Sequence, residues 1–170
     1  MAFTVEDGTI VAGANSYTTI AYADAYFEDR DNTVWAVVVD DADKEGYLIR
    51  ATDYIESVYG RRFIGEMVET DQPLSWPRTD ADPYADDVIP DRLQKAACEY
   101  ALRAIDGPLM PDPAIDATGF SSVVKKKVVG PIEKEFEIYG SSAMTVRPYP
   151  AADALIAPLI MPGSGTRVIR

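Results

Sequence analysis

The sequence predicts a mainly α-helical protein: a small bundle of three main helices with a long pinned loop, a C-terminal β-hairpin and an extended C-terminal arm. Three observations carry this. Apolar residues recur at helical spacing in three separate stretches. Between two of them, "TDQPLSWPRTDADP" (70–83) sets a tryptophan among prolines and acids, which suits neither a helix nor a central strand. Near residue 130 the apolar period shortens to strict alternation, the pattern of a strand. The 170 residues then divide into a helical domain (1–110), a linker with hairpin (111–147) and a docking arm (148–170).

The first helix is expected over roughly 20–30. Thr19 is a good cap, and Ile20, Ala23, Tyr26 and Phe27 share one face. Asp31-Asn32 closes it. "TVWAVVVDD" then reads as a strand or, better, as a helical turn or linker that buries Trp35. The clearest helix follows, capped by Asp40 or Asp41, with acids in its first turn that suit the helix dipole. Tyr47, Leu48, Ala51, Tyr54, Ile55 and Val58 make its apolar stripe. Gly60 falls where a left-handed C-cap belongs, with Arg61 and Arg62 at the negative end of the dipole.

Residues 63–88 form a long loop, broken by Pro73, Pro77 and Pro83. Trp76 in it has two readings. A base-stacking tryptophan works beside cations, but the neighbours here are Asp71, Asp80 and Asp82, with Arg78 alone on the other side. The anchor reading is therefore preferred: Leu74 and Trp76 insert into the helical core, and Arg78 salt-bridges a nearby acid. The third helix starts with Pro90 at its first position. Its inner face is Leu93, Ala96, Ala97, Tyr100, Ala101 and Ala104, and Gly107-Pro108 ends it.

In "SSVVKKKVVGPIEKEFEIYG", Gly130-Pro131 connects two strands. Lys125, Lys126 and Lys127 are expected across from Glu133 and Glu135, a mildly favourable pairing. The alternative is a small basic tip that touches a phosphate or an acidic partner. Finally, Pro150 can start a short helix carrying Leu155, Ile156 and Leu159 after Tyr149. This segment reads either as an arm docking on a partner or as a piece packed back on its own chain. In the docking reading, removal of 148–170 leaves a folded monomer that fails to enter its assembly.

The bulk composition excludes much. Sixteen Lys and Arg against 28 Asp and Glu give a net charge of −12, which disfavours a diffuse grip on phosphate backbones. With no histidine, the commonest general base, the usual triads and the commonest metal ligand are missing. One cysteine, Cys98, provides no thiolate zinc site, forms no intrachain disulfide and reads as a small buried hydrophobe of a cytoplasmically made chain. No apolar run is long enough for a membrane span, and the N-terminus does not resemble a secretory signal. No glycine-rich phosphate loop or calcium-loop spacing occurs. The expectation is therefore a non-enzyme without metal or cofactor.

Several stretches together resemble a family encoded in tailed-phage structural gene clusters. They are "VEDGTIVAGANSYTTIAYADAYFEDRDNTVW", "KEGYLIRATDYIESVYGRRFIGEM", "LSWPRTDA", "VIPDRLQKAACEYALRA", "VVGPIEKEF" and "RPYPAADALIAPLI", in order over nearly the whole chain. That family carries two labels, head–tail connector (adaptor) and DnaT-like single-stranded-DNA-binding protein. The adaptor label implies a ring, usually twelve-fold, in the virion neck. It would bind the portal protein above and a stopper or tail-completion protein below, and let double-stranded DNA pass. The other label implies a replication protein that coats single strands through Trp35, Trp76 and the lysines. Tyr22 departs from the pattern, standing where an acid often completes the capping box after Thr19. The acidity favours the adaptor, whose channel must not hold DNA.

Overall fold

The structure is a computed structural model that describes residues 2–111 and 147–161, with the backbone of 127–129 and 132–134. Among the described residues the protein is mainly helical with two short antiparallel strand pairs. It divides into two units, Met1–Leu109 with Pro148–Arg170, and Met110–Arg147.

In the first unit α1 spans Ile20–Glu28 and α2 Thr33–Ala36. Thr19 Oγ1 accepts from the Tyr22 amide at 3.1 Å, and Asn32 caps the helical turn that buries Trp35. Helix α3 runs Asp41–Tyr59 behind the Asp40 cap, with Asp41 and Asp43 in its first turn. Gly60 is not left-handed: at φ −49° and ψ −40° it begins a 3-10 turn, Gly60–Arg62. Close approach explains the glycine instead, because a Cβ there would meet Ser75 Oγ at 2.8 Å. Helix α4, Asp91–Ile105, begins one residue later than expected, with Pro90 as its cap residue. It packs on α3 and α5 through Leu93, Ala96, Ala97, Tyr100, Ala101 and Ala104. Cys98 is fully buried among them, and burial pushes its thiol up to about 12.

The loop after α3 is pinned at both ends. Strands β1 (Glu66–Met67) and β2 (Arg78–Thr79) pair antiparallel. Gly65, at φ 69°, lets them close, since a Cβ would lie 2.1 Å from the Thr79 carbonyl oxygen.

The segment expected as a docking arm folds back in its first part. Helix α5, Pro150–Ile156, places Ala152 and Ile156 in the core, and Tyr149 and Leu159 join them. Residues 159–161 then bridge to 62–64, with Ile64 N–H donating to Leu159 O and Met161 N–H to Arg62 O, both at 2.9 Å. Removing 148–170 would therefore open the core rather than leave a folded monomer. The sequence underweighted this because four apolar side chains on a proline-rich piece look too few to hold it, until a polar latch is added to them.

In the second unit, β3 (Lys127–Val129) and β4 (Ile132–Lys134) form the hairpin. Its register sets Lys127 opposite Lys134 and Val128 opposite Glu133. The register therefore pairs Lys127 with a lysine position where a glutamate position was expected, one step off the expected Lys–Glu register. Lys125, Lys126 and Glu135 lie outside the described residues.

Candidate functional site

Two networks of buried polar groups hold the segments that sequence reading singled out. The first surrounds Trp76. Tyr17, fully buried, donates its hydroxyl to Glu56 Oε1. Glu56 Oε2 accepts from Ser75 Oγ at 2.6 Å and from the Ser75 amide at 3.2 Å. The Trp76 amide in turn donates to the Tyr17 hydroxyl at 3.3 Å. Burial pushes the Tyr17 pKa well up, and the facing Glu56 adds to it. The Trp76 ring is wholly buried, edge-on to Phe63 and Tyr84 at centroid distances of 5.9 and 5.8 Å. Leu74 is buried beside it in the same core.

Among the described residues Arg78 makes no salt bridge. Its Nε donates to Ile64 O at 2.7 Å, Nη2 to Gly65 O at 2.7 Å and Nη1 to Ser75 O at 3.0 Å. The loop doubles back on itself and turns three carbonyls inward, where no sheet ladder reaches them. A planar guanidinium with five donors satisfies all three at once, which a lone acid could not do.

The second network latches α5. Asp153 Oδ1 accepts from the Tyr100 hydroxyl at 2.6 Å and the Tyr59 hydroxyl at 2.9 Å, and Oδ2 accepts from the Tyr149 amide at 2.8 Å. Tyr149 donates its own hydroxyl to Leu109 O at 2.8 Å. One carboxyl group thereby ties α3, α4 and α5. Asp153→Ala leaves two tyrosine hydroxyls without their acceptor and costs roughly 2–4 kcal/mol. Hydrogen exchange read by mass spectrometry should show faster exchange over 150–161 with little change in α4; uniform exchange across both would remove the latch role.

Trp35 is 2% exposed. Its Nε1 donates to Asp24 Oδ1 at 2.7 Å, and its ring lies 4.9 Å from that of Phe27. Leu155 is half-buried, while Tyr149, Ile156 and Leu159 are buried. The structure therefore gathers Leu74, Trp76 and Arg78 in one place and Tyr149, Ile156 and Leu159 in another. Lys127 and Glu133 stand in the other unit. Sequence reading missed Tyr17, Glu56, Ser75 and Asp153. The one available signal was Glu56 itself, an acid four residues after Thr52 and three before Tyr59 on the buried side of α3. Among the described residues, no group of three His, Cys, Asp or Glu side chains is placed to hold a metal ion, and no helix is long and apolar enough to cross a membrane.

Over its whole length, residues 1–170, the chain matches the family described as "Putative DnaT-like ssDNA binding protein". The chain belongs to this family. No curated protein matches it, and no solved structure does. Membership in the DnaT-like family covers both units, so the hairpin and the helices are parts of one family chain.

Proposed function

We propose that the chain is a head-to-tail adaptor of a tailed phage, a subunit of a ring below the portal through which double-stranded DNA passes. The observation that carries this reading is an acidic protein, net charge −12, whose two tryptophans are 0% and 2% exposed. A surface of this sign lets DNA slide by without being held. The resemblance to tailed-phage structural proteins supplies the portal as the partner above and a stopper or tail-completion protein below. The ring, its copy number and its place in the virion neck belong to this proposal.

The family description favours a second reading, a protein that coats single-stranded DNA. Such a protein stacks bases on aromatic side chains in a basic groove. Trp35 and Trp76 are committed to the core, which leaves Lys125 to Lys127 to carry that reading.

Quantitative mass spectrometry of purified particles decides between them. A ratio to the portal protein near one to one is the adaptor's result. Absence from particles, together with oligonucleotide binding that weakens steeply with salt, would replace the adaptor with the single-strand binder.

A further inference from the structure

Among the described residues, the three most exposed large hydrophobic side chains occur within six residues: Val34 at 52%, Val37 at 76% and Val39 at 91%. They belong to α2 and its exit. In the same stretch a groove of about 480 Å³ opens, with Phe27, Trp35 and Ala36 as its apolar wall. Three acids line it. Asp24 is already held by Lys44 Nζ at 2.8 Å. Glu28 and Asp31 are exposed and make no ion pair among the described residues.

An apolar groove beside two unneutralised carboxylates suits a short apolar segment bracketed by cations. The sequence holds such a segment in Arg167-Val168-Ile169-Arg170. The other candidate, Lys125 to Lys127, runs into β3 and its pairing with β4.

Reach decides which copy is served. The groove lies at the start of α3, at Lys44. Residues 160–161 are fastened at its far end, to Phe63 and Arg62. Lys44 to Tyr59 alone spans roughly 22 Å at 1.5 Å per residue. Met161 to Arg167 spans at most about 20–22 Å fully extended. A chain's own groove is thus beyond a relaxed tail, whereas a neighbour's groove is not.

We propose that residues 166–170 of one copy dock in the α1–α2 groove of a second copy, Arg167 and Arg170 facing Glu28 and Asp31 and Val168-Ile169 against the apolar wall. The root of the tail, Ile160–Met161, and the groove lie at opposite ends of α3, so the contact is head-to-tail. Such a contact closes into a ring or runs on as a filament. The inference does not need the virion role, since self-association and particle composition are measured separately.

Sedimentation velocity of the full chain over a range of concentrations tests it, using R167E/R170E, E28R/D31N and the four changes combined. Asparagine is chosen at 31 because Asp31 sits at φ 49°, which Asn tolerates. The wild type should associate increasingly with concentration and less so at high salt. Each pair of changes should weaken association about tenfold, and the combination should recover part of the loss. Circular dichroism confirms that each variant is folded. A wild type that stays monomeric throughout, variants that associate as the wild type does, or a combination with no recovery would each overturn the proposal.

Discussion

Trp76→Ala should lower the unfolding free energy by roughly 3–5 kcal/mol, the usual result of deleting a fully buried indole. The ring packs between Phe63 and Tyr84, joining two distant parts of the 63–88 loop within the core. The change removes the packing and also loosens the strap that Ser75 and Arg78 fasten. Trp76→Phe is the control. It keeps an edge-on ring, and it sacrifices no hydrogen bond, because the Trp76 Nε1 has no partner among the described residues. Its loss should be clearly smaller. Urea unfolding followed by circular dichroism measures both. A loss under about 1 kcal/mol for the alanine variant would mean the indole is not an anchor.

Raising the pH past 10 should unfold the protein steeply. Tyr17, Tyr54 and Tyr100 are buried, and their pKa values are pushed up from the ordinary value of 10.0, chiefly by desolvation. Glu56 adds to the shift of Tyr17, and Asp153 to that of Tyr100. The sign follows directly. Above the unfolded pKa the unfolded chain has released these protons and the native chain has not, so deprotonation favours unfolding. Stability from these groups is complete below pH 10 and falls as pH climbs toward the native values. Each contributes a slope of up to about 1.4 kcal/mol per pH unit, so the three together approach about 4 kcal/mol per unit. Tyr26, raised to about 12 by burial and by its bond to Glu99, adds to the same slope. Urea midpoints should stay level from neutral pH into the mildly alkaline range and then collapse. Tyrosinate absorbance should lag and then rise together with unfolding. A gradual rise at ordinary tyrosine values with the fold intact would contradict the burial of these hydroxyls.

Local signals made the helices legible. Asp40 before Asp41-Ala42-Asp43 marks the start of α3, and a four-residue helical turn is enough to bury Trp35. What escaped were the choices made by distant partners. Arg78 near several acids invites a salt bridge, yet the loop's own carbonyls outcompete them, and no sequence pattern encodes a carbonyl's direction. Asp153 in a short helix reads as a solvated acid until Tyr59 and Tyr100, far back in the chain, are placed beside it. Lys127 shows the same limit at smaller scale. Composition suggests a charge pair, whereas the strand register assigns the neighbour.

The return of α5 also bears on the order of events during synthesis. The core of the first unit is discontinuous: Tyr149, Ile156 and Leu159 complete a surface begun by α3 and α4, with Met110–Arg147 intervening. A nascent chain that has made everything through α4 still lacks the side chains that close this surface, and it must keep that apolar face uncommitted while the intervening segment is translated. Closure therefore waits on a long-range contact rather than proceeding from the N-terminus. Only a chain carried past Leu159 completes this surface, so a copy cut short in translation keeps an open core.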